Sequence, residues 1–213
     1  MKKRIDIVYL LNTKKKSKIL PLSIKTAKAH LDYRDIYIAG IKPENIKAKE
    51  IRVIDNGSPF ENAVKKLKAV IKDKRVSQDF ILMNDDFLIL QEYKEIPYYH
   101  RGKIKDFKPN KYWKDRIKVL EEQFPEGNIF EIHFPVVYNK QKLSETLDRM
   151  KANAGIRTHY CNYHGIEGQK QKDYKLYKTS DLEDIENPPF LSTTDTIENT
   201  SLSKLIKIVN KNI

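Results

Sequence analysis

The sequence has a single cysteine, Cys161, so no disulfide can close within the chain. That usage fits a reducing compartment, and a cytoplasmic location is expected. Glycine is scarce too: the seven residues are scattered, and neither a G-x-G-x-x-G turn nor a P-loop occurs among them. This argues against most dinucleotide-dependent dehydrogenases and against P-loop nucleotide hydrolases. No serine lies in a nucleophile elbow, and His30, His100, His133, His159 and His164 lack the spacing of a structural zinc site. No apolar run approaches the length of a membrane-crossing helix, so no span is expected. The opening Met1-Lys2-Lys3-Arg4 and the apolar residues after it have the outline of a short signal peptide. Asp6 interrupts the apolar part and no small-residue cleavage site follows, so the stretch reads as a first strand.

What is abundant is charge. Of 213 residues, 33% are charged and 39% hydrophobic, which suits one large domain that can bury a core. Lysine and arginine outnumber aspartate and glutamate by 41 to 29, a net charge of +12. Basic clusters recur at Lys14-Lys15-Lys16, at Lys65, Lys66 and Lys68, and from Lys103 to Lys118, where Phe107, Tyr112 and Trp113 are interleaved. Such a surface attracts polyanions by counterion release. Nucleic acid, a charged nucleotide and an anionic membrane surface all fit, and so does a lysine-rich composition with no partner behind it.

Taken in order, residues 5–11 are almost wholly apolar, as in a strand covered on both faces. Leu20, Ile24, Ala27 and Leu31 recur at helical spacing. Strands are expected at 36–39, with Gly40 as the turn, and at 51–54, and a helix over 61–71. Residues 80–83 and 87–90 form two apolar runs separated by Asn84-Asp85-Asp86. Strand, helix, strand, strand, helix, strand is the pattern of an α/β sheet wrapped by helices. Beyond it come an edge segment and turn at 96–103, a basic helix over 112–124, a strand over 129–135, a helix over 140–150, a polar and aromatic span at 155–168, and a last helix from about 201 to 210. The chain reads as one domain over 1–213, with a donor and metal half at 1–92 and an acceptor half at 93–213.

Asn84-Asp85-Asp86 has two readings. These residues favour turns for backbone reasons, so a solvated hairpin is one. The other is functional: two carboxylates between buried strands are costly without a cation, and hard ions such as Mg²⁺ or Mn²⁺ prefer carboxylate oxygens. The pair would end the fourth strand, where open α/β sheets bind ligands, and His133 is placed at a strand end by the same logic.

Several segments then resemble the GT-A glycosyltransferase superfamily. They are Ile5-Asp6-Ile7-Val8-Tyr9, Leu22-Ser23-Ile24-Lys25-Thr26, Glu61-Asn62-Ala63-Val64-Lys65-Lys66, Phe80-Ile81-Leu82-Met83-Asn84-Asp85-Asp86-Phe87, Ile132-His133-Phe134-Pro135, Tyr160-Cys161-Asn162-Tyr163-His164 and Phe190-Leu191-Ser192-Thr193-Thr194-Asp195. More narrowly the chain resembles the Stealth-like group and the phage glucosyltransferases acting on hydroxymethylcytosine DNA. The resemblance implies a mixed, mostly parallel sheet flanked by helices, with Mn²⁺ or Mg²⁺ held by Asp85, Asp86 and His133. Asp86 and His133 would be catalytic. Tyr9, Asn12, Lys25, Asn62, Lys66 and Asn84 would serve the nucleotide-sugar, expected to be a UDP-sugar, and Arg157 and Asn162 would line the acceptor side. A hexose would pass to a hydroxyl, with hydroxymethylated or already glycosylated pyrimidines of double-stranded DNA as acceptor, in a host cytoplasm for a phage enzyme. Ile19 and Pro21 stand where an acidic and basic pair is usual, and Lys25 replaces an arginine, which leaves the donor open. A Stealth-like sugar-phosphate transferase and a non-enzymatic basic α/β module are the alternatives.

Overall fold

The computed structural model describes residues 4–14, 17–111, 113–150, 155–183 and 185–211. Its central sheet has the order β3-β2-β1-β4-β7. Strands β1 (Asp6–Leu10), β2 (Ile36–Gly40), β3 (Lys49–Arg52) and β4 (Asp79–Met83) run parallel. Strand β7 (Val136–Asn139) closes the sheet antiparallel to β4. The expected mixed, mostly parallel sheet flanked by helices is present.

Side-chain alternation divides the core into two layers. Ile7, Tyr9, Ile38, Ile81 and Met83 pack with Leu20, Ile24 and Ala27 of α1 (Leu20–His30). Val8, Tyr37, Ala39, Phe80 and Leu82 pack on the other face. Their partners are Leu67 and Val70 of α2 (Pro59–Lys72), Leu143 of α4 (Lys140–Arg149) and Tyr160 and Cys161 of α5 (Ile156–Tyr163). Covering on both faces is why the central strands read as unbroken apolar runs. Helix α2 begins two residues before the expected Glu61, because Ser58 and Glu61 form a reciprocal capping box with Pro59 in the first turn.

A second sheet, ordered β5-β10-β9, joins β5 (Phe87–Ile89), β10 (Phe190–Thr193) and β9 (Lys175–Leu176). Its Phe87, Ile89 and Phe190 enter the same core cluster as Ile7 and Met83, so the two sheets share packing. Its far side is covered by Ile197 of α6 (Asp195–Thr200) and by Leu205 and Val209 of α7 (Leu202–Asn210). The short strands β6 (Tyr99–His100) and β8 (Gln169–Lys170) pair in parallel. Helix α3 (Lys114–Gln123) packs Ile117 and Leu120 on Ile104 and Ile129 in a satellite cluster.

One expectation for the second half is corrected. Residues 129–135 are not a strand; Ile129, Phe130, Ile132 and Phe134 are each at most 3% exposed, but they divide among three clusters, and the backbone turns on itself through Ile132 N to Phe130 O and Phe134 N to Ile132 O. Burial, not strand pairing, accounts for their apolar character. The span at 155–168 contains α5, whose Thr158 N–H is accepted by the side chain of Glu131, a cap supplied from another segment.

Asp6 shows how the sheet tolerates a charge. It is fully buried, receives Arg34 Nε at 2.9 Å and Nη2 at 2.6 Å, and accepts the Ser77 N–H at 2.7 Å. Its own N–H donates to Ser77 Oγ, so one residue joins β1, the start of β2 and the start of β4. Asp6→Ala strands these donors and is expected to lower stability by about 3 kcal/mol in urea unfolding, with Asp6→Asn losing less because its amide oxygen still accepts.

Candidate active site at the junction of two sheets

Strand β4 ends at Met83 on the carboxyl edge of the parallel strands, and β5 begins at Phe87 in the second sheet. Asn84-Asp85-Asp86 therefore carries the chain from one sheet to the other. The turn itself is real, since Phe87 N–H donates to Asn84 O at 3.2 Å. It is not a solvated hairpin. Asp86 keeps only 22% of its side chain exposed and meets Lys175 Nζ of β9 at 2.7 Å. Burial pushes the Asp85 carboxyl above the ordinary carboxylate range, and the charges of Asp86 and Glu198 add to the effect against a hydrogen bond from Ser17.

These groups face a cleft of about 430 Å³ lined by Ile19, Asp85, Asp86, Lys175, Thr193, Thr194, Asp195, Thr196 and Glu198. Four carboxylates there meet one ammonium. Glu198 is tied to the start of α1 by the N–H groups of Lys18 and Ile19. An anionic substrate would meet net repulsion in this cleft unless a cation came with it. Among the described residues, no group of three or more His, Cys, Asp or Glu side chains forms a ready metal cage. Two adjacent carboxylates, Asp85 and Asp86, could hold a hard divalent ion whose other positions would stay open. His133 does not join them in a common ligand set, which corrects the three-ligand expectation.

His133 nevertheless reaches the same edge. Because β7 is antiparallel and Val136 pairs with Leu82, the segment before β7 lies beside the end of β4. The His133 ring stands edge-on to Phe87, with centroids 6.3 Å apart. His133 Nδ1 lies 2.7 Å from Asp173 Oδ2, and Asp173 Oδ1 accepts the His133 N–H at 3.2 Å. Arg101 also pairs with Asp173. Burial opposes ionisation of Asp173, but the bonds and charges of His133 and Arg101 outweigh it and hold the carboxyl below the usual range. That bond orients the ring through Nδ1 and leaves Nε2 as the nitrogen not committed to Asp173.

The remaining expected site residues fall into three groups. Asn12, Asn62 and Lys66 line a second cleft of about 370 Å³ at the carboxyl ends of β1 and β3, with Leu10, Lys14, Asp55 and Gly57. There Lys66 is buried against Asp55 at 2.6 Å, and Asn62 braces the loop through the N–H groups of Asn56 and Gly57. Burial raises the proton affinity of Asp55, yet Lys66 and Thr13 bring its carboxyl below the ordinary range. A second group is scaffold. Tyr9 is fully buried and bonded to Ser23, so its hydroxyl is not presented to a ligand as expected. Asn162 clamps Asn128 and Thr158, and Arg157 donates to the Ile132 carbonyl just behind His133. Lys25 stands apart, exposed on α1 and bonded to Asn210 of α7.

The basic clusters of the sequence are in part engaged within the fold. Lys15, Lys16 and Tyr112 lie outside the described residues. Lys103 and Lys105 bond Glu126, Phe107 packs edge-on against Trp113, and Lys66 is buried. Asp173 and Lys175 are the functional candidates missed in the sequence. Their signal is alternation: Asp173 and Lys175 are polar, while Tyr174 between them packs against Phe190.

No protein-family model and no curated protein matches the chain. Among solved structures, it aligns with 4-diphosphocytidyl-2C-methyl-D-erythritol synthase from Anaerococcus prevotii over 98% of each chain, with a TM-score of 0.47 and 9% identity. A likeness at that level carries no reaction or substrate to this chain. No helix among the described residues is long and apolar enough to cross a membrane.

The state of Asp85 has a testable consequence for stability. A carboxyl whose folded pKa is raised costs stability once pH exceeds that pKa and relieves the cost as pH falls through it. Asp85→Asn, measured without divalent ions, is expected to raise the thermal midpoint near neutral pH, with the gain shrinking towards acid. A neutral or lowered midpoint at pH 7 contradicts the burial cost.

Proposed function

We propose that the chain is a metal-dependent glycosyltransferase that moves a hexose from a nucleotide-sugar, a UDP-sugar by resemblance, to a hydroxyl acceptor. The observation that carries this reading is the Asp85-Asp86 pair, held half-buried in an acid-lined cleft at the carboxyl edge of a parallel sheet. Carboxylates kept there against their desolvation cost suit a cation-assisted diphosphate site better than a structural turn. The cleft at Asn12, Asp55 and Asn62, on the same edge, suits the nucleoside.

In this reading Asp85 and Asp86 would hold the ion, which when bound supplies positive charge against the departing nucleoside diphosphate. The acceptor oxygen forms its bond to the sugar's anomeric carbon as the bond to the diphosphate oxygen breaks. His133 Nε2 takes the acceptor proton, and Asp173 holds the ring and balances the imidazolium. Lys175 holds the Asp86 carboxylate in place when no ion is bound. The resemblance and the net charge of +12 together favour a hydroxymethylated pyrimidine in DNA as the acceptor. Bringing a base substituent to the site would take groove access or extrusion of the nucleotide.

The test is turnover of UDP-glucose with Mn²⁺, with and without duplex DNA containing 5-hydroxymethylcytosine, followed by mass spectrometry of the digested nucleosides. A hexose-sized gain on the base that chelator abolishes is the expected result. Donor hydrolysis without base modification would move the acceptor elsewhere, and no donor binding would refute the glycosyltransferase reading. Asp86→Asn is expected to reduce kcat/KM at least about a hundredfold with the fold intact. His133→Asn is expected to reduce kcat about 10²- to 10⁴-fold with the fold intact.

A further inference from the structure

A third cleft lies on the other side of Asp173 and has the opposite charge. It has a volume of about 430 Å³ and is lined by Arg101, Phe107, Lys170, Gln171, Lys172 and Asp173. Three cationic side chains there meet one carboxylate, and that carboxylate is already shared between Arg101 and His133. Among the described residues neither Lys170 nor Lys172 has a carboxylate within ion-pair distance; Lys172 lies over the Tyr174 ring at 5.4 Å. Arg101 is held rigid, since its Nε donates to the Glu131 carbonyl at 2.8 Å.

The local backbone builds this arrangement. Pairing of β6 with β8 sets His100 opposite Lys170, and Gln171 N–H continues the ladder to His100 O at 3.0 Å. That register brings Arg101 alongside the Lys170–Lys172 segment. Gly102, at φ +122°, turns the chain away; a Cβ there would lie 3.7 Å from Lys170 Cε on a backbone that other residues rarely adopt. The glycine leaves room beside the lysine. Phe107 supplies an aromatic wall.

We infer that this basic cleft is an acceptor subsite that takes a phosphate group of the acceptor. Calling it the acceptor's rests on the glycosyltransferase reading; the anion site stands on its own residues. Asp173 faces this cleft and Lys175 the acid-lined one, and the two residues are separated by no more than about 7 Å of chain. An anion seated on Lys170 and Lys172 is thus within one substrate length of His133 and the carboxylate pair. The opposed charges sort the two substrates: a metal-bound diphosphate enters the acidic cleft, and a metal-free phosphate enters the basic one. The same chemistry is offered by a phosphodiester of nucleic acid and by a phosphorylated sugar.

The experiment follows the Arg101 Nε–H signal by NMR while ribose 5-phosphate or a thymidine decanucleotide is added, with no donor and no divalent ion present. Binding by either probe that weakens about tenfold in Lys170→Ala/Lys172→Ala supports the site. Lys114→Ala/Lys118→Ala, which removes equal charge from α3, should bind as the wild type does. Binding of the decanucleotide alone identifies a nucleic-acid acceptor, and binding of ribose 5-phosphate alone a small phosphorylated one. No shift with either probe, or equal weakening in both double variants, overturns the proposal. Because no sugar transfer is read, a failed glycosyltransferase assay leaves this result standing, and the reverse also holds.

Discussion

The contact between Asp86 and Lys175, 2.7 Å long and largely shielded from water, joins the chain leaving the parallel sheet to the outer strand of the second sheet. The architecture around it follows from a single constraint. Strand β4 must end at the carboxyl edge, and the chain must cross to β5 in three residues, so two adjacent carboxylates are carried into a partly dry junction. One is neutralised by Lys175. The other, Asp85, stays under strain from burial and from its acidic neighbours. The junction therefore carries more negative than positive charge.

The antiparallel closing strand supplies the second half of the site. Had β7 run parallel to β4, the residues before it would lie at the opposite edge, far from Asp85. Its reversed direction puts His133 beside Phe87, and Asp173 then fixes the ring from the segment that also delivers Lys175. Three clefts result along one edge and its flank, one lined mainly by carboxylates, one by Asn12, Asp55 and Asn62, and one mainly by cationic side chains.

Local signals made the first half of the chain readable. Unbroken apolar runs marked β1, β2 and β4, while the Ser58 and Glu61 capping box that starts α2 at Pro59 reads in the sequence as a turn. Asn84-Asp85-Asp86 stood out because polar residues interrupted strands on both sides. The second half depends on distant partners. Helix α5 is capped by Glu131, and Ile129 to Phe134 are apolar because three clusters claim them. Tyr9 was a ligand contact by resemblance alone; its hydroxyl instead meets Ser23, whose Oγ donates to Phe87 O and pins α1 to β5. Asp173 and Lys175 escaped notice because short polar segments carry little pattern, and their roles appear only when β9 pairs with β10.

The measurement that bears most directly on the carboxylate pair is calorimetric titration of UDP into the protein with and without Mn²⁺, repeated for Asp85→Asn. Binding is expected to be at least about tenfold tighter with the ion, because the acid-lined cleft repels a bare diphosphate, and the variant is expected to lose that enhancement. UDP binding that is equally tight without Mn²⁺, or an enhancement that survives Asp85→Asn, would contradict it.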